Sequence, residues 1–337
     1  MKGSRKMEKA VIYGRGGYYR QHRDKLPSDI EIIAYADSFV ESATSATGKL
    51  FEGKPVLLPW ELHKVDYDKV YICTDYAVGN RIFYTLIEND VAPDKILFLN
   101  RIVFPGSWEY VAAEDGGVIS SIDGVRIKER YITDFDIIVE IFVKGVYRAI
   151  LPFSDYIVID MGMNIGAASL YFAQKPEVSK VYGFEPFPDT YEQAIENFAR
   201  NEQPIRDKIE AYNIALLDVE GAMRVAVPYE QTGWRNIFSQ DKDKEQTEIV
   251  CREAGKVIGD ILKENHGKNV VLKCDVEGSE FKIFESLEAA SCFSRIDAVM
   301  MEVHGDSAPL TGMLRKHGYK LFLLGEASGI QMLYAVK

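Results

Sequence analysis

The chain has 337 residues, and at roughly 150 residues per domain that length gives about two domains and excludes a single short binding module. Hydrophobic residues make up 47% and charged residues 27%, an ordinary folded mixture that excludes wholesale disorder and fibrous repeats. The 40 basic and 51 acidic residues leave a formal charge of −11; with no surplus of Lys and Arg to displace counterions, nucleic acid is not the expected partner.

No apolar run reaches the ~18 residues of a membrane span, and the richest stretch, Ile137 to Ile150, is broken by Glu140, Lys144 and Arg148. The basic start, Met1 to Lys9, leads into only a short apolar run before glycines, without the apolar core of a secretion signal, so a cytoplasmic protein is expected. Cys73, Cys251, Cys274 and Cys292 are far apart and read as reduced core thiols.

The first segment alternates as strand, glycine turn, helix and strand: Ala10 to Tyr13, Gly14-Arg15-Gly16-Gly17, a polar helix, then Ile30 to Ala36 before Asp37. Strands follow at Pro55 to Leu58, Lys69 to Thr74 and Lys95 to Leu99, with a helix over Gly79 to Asn89. These form an expected first domain over residues 1–104. Residues 105–152 read as a β-rich connector, with a turn at Asp123-Gly124, a strand over Ile137 to Val143 and a turn at Lys144-Gly145. Residues 153–337 form a second alternating domain. Its strands are expected at Tyr156 to Asp160, Lys180 to Glu185, Ile209 to Ala215, Val270 to Asp275 and Ala298 to His304, with a β excursion at Ala222 to Val227. The last two strands, Tyr319 to Leu324 and Ile330 to Val336, are joined too tightly for a parallel crossover and so must run antiparallel. The fold class expected is α/β, a parallel sheet with one reversed strand plus a smaller α/β domain.

In an open parallel sheet the ligand lies beyond the carboxyl ends of the strands. The first strand of the second domain ends Asp160-Met161-Gly162-Met163-Asn164-Ile165-Gly166, where Gly162 and Gly166 allow a tight turn against a helix start. The next ends Phe184-Glu185-Pro186, about 20 residues later, where a carboxylate can accept both ribose hydroxyls. Glu185 taken alone could equally complement a helix dipole.

Asp160-x-Gly162-x-Asn164-x-Gly166, Glu185-Pro186, Asn213-x-Ala215, the string Leu272-Lys273-Cys274-Asp275-Val276-Glu277-Gly278-Ser279-Glu280 and Met301-Glu302-Val303-His304 resemble the FkbM-type methyltransferases over roughly Tyr156 to Lys337. The resemblance implies a class I, Rossmann-like methyltransferase sheet and S-adenosylmethionine as cofactor. It implies that the Asp160, Gly162, Asn164 and Gly166 loop holds the methionine end, Glu185 the ribose, and Pro186, Phe187 and Asn213, with Ala215 beside it, the adenine. It also implies O-methylation of a sugar or other hydroxyl-bearing metabolite.

Asp275, Glu277, Glu302 and His304 close neighbouring strands and are the expected catalytic residues. A neutral alcohol is a poor nucleophile, and a carboxylate or imidazole that takes its proton contributes roughly 10²–10⁴ in rate. The same cluster could hold a divalent cation. Metal-free base catalysis is favoured, because Asp, Glu and one His on two strands fall short of a complete protein cage. Glu280 reads as a dipole partner at a helix start. His304 could be the base or a strand-end anchor. The loop from Tyr229 to Phe238, with Tyr229, Trp234 and Asn236, suits a sugar's apolar face and hydroxyls, or is a surface flap.

Gly14-x-Gly16 and Asp37 form a weak dinucleotide fingerprint, because Tyr19 stands at its third glycine position. The segment is similar to Rossmann-like amino-terminal domains of polysaccharide-biosynthesis proteins, which implies nucleotide-sugar binding or a docking and homo-oligomer role. Two rival functions stay open: a nicotinamide- or nucleotide-sugar-dependent enzyme using the first domain, and a nucleoside-binding scaffold without turnover.

Overall fold

The computed structural model describes residues 7–38, 50–74, 76–99, 108–112, 118–227, 237, 246–325 and 330–337. The chain divides into two compact units, Met1–Asp123 and Gly124–Lys337. Among the described residues no helix is long and apolar enough to cross a membrane. All four cysteines are buried and free of disulfides.

The first unit contains Glu8–Tyr13 (β1), Gly17–His22 (α1), Ile30–Ala36 (β2), Leu50–Phe51 (β3), Lys54–Leu57 (β4), Lys69–Ile72 (β5), Tyr76–Glu88 (α2), Ile96–Phe98 (β6), Trp108–Ala112 (β7) and Val118–Ile122 (β8). Its main sheet has the order β3-β4-β2-β1-β5-β6, parallel except for β3 against β4. Ala10, Val11, Ile12 and Tyr13 are all buried, as befits a central strand covered on both faces.

The second unit opens with Val125–Glu129 (β9) and a helix over Ile132–Ile138 (α3) that continues as a wider π turn through Lys144. This corrects the strand expected over Ile137 to Val143. Phe135, Ile138, Val139 and Phe142 are buried at helical spacing, and Asp134 accepts the Arg130 and Tyr131 N–H groups at 2.7 and 3.2 Å. The 3.6-residue period, with an N-terminal carboxylate, outweighs the β-branched composition.

Then come Tyr156–Met161 (β10), Ala167–Ala173 (α4), Val178–Phe184 (β11), Pro188–Ala199 (α5), Gln203–Arg206 (α6), Ile209–Tyr212 (β12), Ala215–Leu217 (β13), Gly221–Ala226 (β14) and Gln246–Glu253 (β15). Ala254–Glu264 (α7), Asn269–Cys274 (β16), Glu280–Ala289 (α8), Ala298–His304 (β17), Ala308–Lys316 (α9), Lys320–Gly325 (β18) and Ile330–Val336 (β19) complete it. The seven strands of the large sheet lie in the order β12-β11-β10-β16-β17-β19-β18, with β19 antiparallel to both neighbours and the rest parallel. This is the α/β sheet, mostly parallel with one reversed strand, expected from the sequence. The reversed strand sits one place in from the edge.

Two further corrections concern the middle of the unit. The strand expected to run from Ile209 to Ala215 ends at Tyr212, and Ala215–Leu217 moves into a separate sheet beside β15. Strand β15 was not expected at all, because its partly polar sequence merges with the Asp, Lys and Gln-rich stretch before it; its inward residues Ile249 and Cys251 are nonetheless buried.

Asn197 joins three elements of this unit. Its carboxamide oxygen accepts the Lys128 N–H on β9 at 2.8 Å and its amide donates to the Ile165 carbonyl at 3.0 Å, with the side chain wholly buried. Asn197→Ala leaves one buried donor and one buried acceptor unpaired, at ~1–3 kcal/mol each. Urea unfolding of this variant is expected to show a loss of about 2–6 kcal/mol.

Candidate active site

The loop after β10 is shaped from within the protein. Gly162 and Met163 donate their N–H groups to the Phe184 carbonyl at 3.0 and 2.9 Å, and the Asp275 N–H donates to the Met161 carbonyl at 3.1 Å. Gly162 has φ +75°, and a Cβ there would lie 1.8 Å from the Asp275 carbonyl oxygen. Gly166 has φ +83°, and its Cβ would strike the Phe198 ring at 2.4 Å. Both glycines are thus required by close packing of the loop on β16 and α5.

Asp160 is fully buried beneath this loop. One oxygen accepts the Ser169 hydroxyl at 2.6 Å and the other is 3.0 Å from the Lys273 ammonium, itself buried. Asn164 takes φ +51°, and its side-chain oxygen accepts the Ile165 N–H at 2.7 Å. Glu185, almost buried, accepts the Asn164 N–H on one oxygen at 3.1 Å and the Phe187 N–H on the other at 3.0 Å. These two bonds fix the carboxylate at the end of β11, the position where a carboxylate can meet the vicinal hydroxyls of a ribose. Asn213 donates to the carbonyls of Glu185 and Pro186 at 2.8 and 3.1 Å, fixing the turn after β11. Phe187 and Ala215 lie in an apolar cluster with Leu217, Val225, Ile249 and Cys251. The structure therefore brings the Asp160 loop, Glu185, Pro186 and Asn213 together at the carboxyl ends of β10 and β11.

Beyond β16 and β17 a second group converges. The His304 Nδ1 is 2.8 Å from Glu280, and its Nε2 is 3.3 Å from Glu277 and 3.4 Å from Glu302. Burial would lower the imidazole's pKa, but hydrogen bonds to Glu280 and Glu302 and the charge of Glu277 outweigh it and push it up to about 11. In its protonated form the ring offers a hydrogen from each nitrogen to these carboxylates. Burial raises Glu277 to about 7, against the pull of His304 and with added repulsion from Asp275 and Glu302. Burial also raises Asp275, to about 6, with the Lys273 charge opposing and Glu302 reinforcing. Glu277 sits at φ +51°, a backbone conformation that costs a non-glycine residue energy and is found preferentially at functional sites.

All four expected catalytic residues meet here. Glu280, read from sequence as a dipole partner, does stand in the first turn of α8, where it accepts the Gly278 N–H at 3.1 Å, and its buried carboxylate also joins the His304 cluster. Its position three residues after Glu277 was the available signal. Lys273 is a site residue that sequence reasoning missed, although a lysine inside the run from Val270 to Cys274 announces a buried charge in need of a carboxylate. Tyr147, buried 5.7 Å from the Lys273 ammonium, left no signal. Asp275, Glu277 and His304 offer one ligand atom each within 4.8 Å of one another. A divalent cation taken up there would compete with the imidazole proton for His304. Tyr229, Trp234 and Asn236 lie outside the described residues.

In the first unit Asp37 is engaged by Arg15 at 3.0 Å. Tyr19 is buried, with its hydroxyl 2.9 Å from that of Tyr35 and 3.2 Å from Glu52.

The family model described as the methyltransferase FkbM domain matches residues 160–321, and one described as C2185-like, N-terminal, matches residues 6–97. Methyltransferase 1 of Beauveria bassiana is 25% identical over 204 residues, covering 53% of this chain and 78% of that protein. Methyltransferase sdnD of Sordaria araneosa is 30% identical over 177 residues, covering 44% of this chain and 67% of that protein. The crystal structure of methyltransferase FkbM from Methylobacillus flagellatus KT aligns over 97% of this chain and 90% of its own, at 15% identity and a TM-score of 0.41.

The His304 proton gives a signed pH dependence. Its folded pKa is raised above the ordinary 6.5, so the stability it contributes is fully present below pH 6.5 and is lost as pH rises toward 11. Nitrogen-15 imidazole shifts are expected to show His304 still doubly protonated at pH 8. In urea melts, His304→Gln should flatten the decline of stability between pH 7 and 10.

Proposed function

This chain belongs to the FkbM methyltransferase family, and from that premise we propose that it moves a methyl group from S-adenosylmethionine to a hydroxyl oxygen of a sugar or glycan precursor. The observation that carries this reading is the meeting of Asp275, Glu277, Glu302 and His304 at the tips of adjacent strands, next to the loop that begins at Asp160.

S-adenosylmethionine supplies, when bound, a methyl carbon made electrophilic by its sulfonium. The residues fitted to hold it are the Gly162 to Gly166 loop, Glu185 for the ribose, and Pro186 and Asn213 at the following turn. Phe187 and Ala215 line that turn from the apolar side. Glu277 is the proposed base. With its carboxyl raised to about 7, it is substantially ionised at neutral pH and still basic enough to take a hydroxyl proton as the new oxygen–carbon bond forms. The proton ends on Glu277 and the carbon–sulfur electron pair leaves with the thioether. His304 stays protonated throughout and acts as an anchor that orients Glu277 and Glu302. Asp275 and Glu302 are proposed to orient the acceptor hydroxyl for in-line attack.

The first unit is proposed to dock or pair the protein rather than to carry redox chemistry, a reading supported by the capture of Asp37 by Arg15 and the insertion of Tyr19 into the core. Its residues 1–104, with 105–152 as connector and 153–337 as the methyltransferase domain, are the proposed divisions.

Incubation with isotopically labelled donor and a panel of nucleotide-linked and free sugars, followed by mass spectrometry, tests the reaction; label on no hydroxyl-bearing acceptor would count against it. Glu277→Gln should lower kcat by about 10²–10⁴ while isothermal titration shows S-adenosylhomocysteine binding unchanged. The wild-type rate should climb with pH through about 7, because the base must be ionised, and that limb should vanish in Glu277→Gln. Turnover should be insensitive to EDTA, since the proposed base is a carboxylate and Asp275, Glu277 and His304 fall short of a complete protein cage for a cation.

A further inference from the structure

Asp160 and Lys273 are register partners on the parallel strands β10 and β16, so their side chains leave the sheet on one face, and both are buried. Burial would strip the ammonium of its proton, yet the charges of Asp160 and Asp275 hold its pKa above the ordinary value. The cation serves more than its counter-ion. It donates to the Gly162 carbonyl at 2.5 Å and to the Met161 carbonyl at 3.4 Å. The Met161 carbonyl also receives the Asp275 N–H at 3.1 Å. One ammonium thus ties the first turn of the donor loop to the strand whose end carries Asp275.

We propose that Lys273 is a positioning residue of the methyl-donor site, clamping the Met161 and Gly162 carbonyls so that the loop stays in the conformation that receives the amino-acid end of the donor. Asp160 acts through Lys273: with one oxygen on the ammonium and the other on Ser169, it sits behind the loop and tethers the clamp. This inference rests on the donor-site reading above. A loop held by a buried, charge-assisted contact is ordered before the ligand arrives, and affinity gains the ordering cost that binding would otherwise incur. The half of the site built around Glu185 meets the clamped loop through the Asn164 N–H, but its other oxygen is held by the Phe187 N–H outside that loop, so it depends on Lys273 less than the amino-acid half does.

That separation supplies the test. Titration calorimetry with S-adenosylhomocysteine is compared with 5′-methylthioadenosine, which keeps the adenosine and lacks the amino-acid portion. The variants are Lys273→Met, the double variant Asp160→Asn/Lys273→Met, which removes both charges of the pair, and Lys273→Arg, which keeps a cation. The double variant is expected to bind S-adenosylhomocysteine at least tenfold more weakly than wild type while its affinity for 5′-methylthioadenosine stays within twofold, and Lys273→Arg should recover S-adenosylhomocysteine binding to within threefold. Equal weakening of both ligands, unchanged affinity for S-adenosylhomocysteine, or a loss in Lys273→Arg as large as in the double variant would overturn the proposal. A wild-type protein that takes up neither ligand overturns the donor-site reading itself, and this inference with it.

Discussion

Lys273 and Asp160 face each other across β10 and β16 with almost no access to water. Each charge is tolerable there only because the other is present: a buried ion stripped of its partner costs about 3–5 kcal/mol. The register of two strands, the conformation of the loop above them and the placement of Asp275 are therefore linked through one ion pair. A slip of one residue between the strands would send the two side chains to opposite faces and leave both uncompensated. Electrostatics here selects one register, where apolar packing alone is less particular.

The second concentration of charge is built on a different rule. Glu277, Glu280 and Glu302 surround one imidazole, and three carboxylates outnumber the single positive charge at their centre. Partial compensation has an unequal outcome: the imidazole is held firmly protonated, while Glu277 and Asp275 are left more basic than ordinary carboxylates. Burial of a carboxylate, reinforced by neighbouring negative charge, is a way to obtain a base near neutral pH. Of the two roles that sequence left joined at His304, base or anchor, the proposed mechanism takes the anchor, because three carboxylates surround the ring.

Much of the fold was legible because parallel strands buried on both faces leave continuous apolar runs, as at Tyr156 to Met161 and Val270 to Cys274. The candidate site was legible for a related reason: polar residues that close such runs have few structural reasons to be there. Where reading failed, two signals competed. The segment from Ile132 to Lys144 carries β-branched residues at helical spacing, and the spacing prevailed once Phe135, Ile138, Val139 and Phe142 could share one buried face. Strand β15 is half polar, and only its pairing with β13 and β14 makes Ile249 and Cys251 inward-facing.

From the chain alone follow the α/β class, the antiparallel ending, the turn at Gly162 to Gly166 and the set of acidic residues at strand ends, because each depends on local period, chain length between strands or residue type. Which groups touch, and with what protonation, was decided by the tertiary structure. The pairing of Lys273 with Asp160, the entry of Glu280 into the His304 cluster and the elevated proton affinity of Glu277 all arise from burial and from distances between residues far apart in sequence. A sequence lists the charges, but their energies depend on separation and on the water removed from around them, and folding sets both.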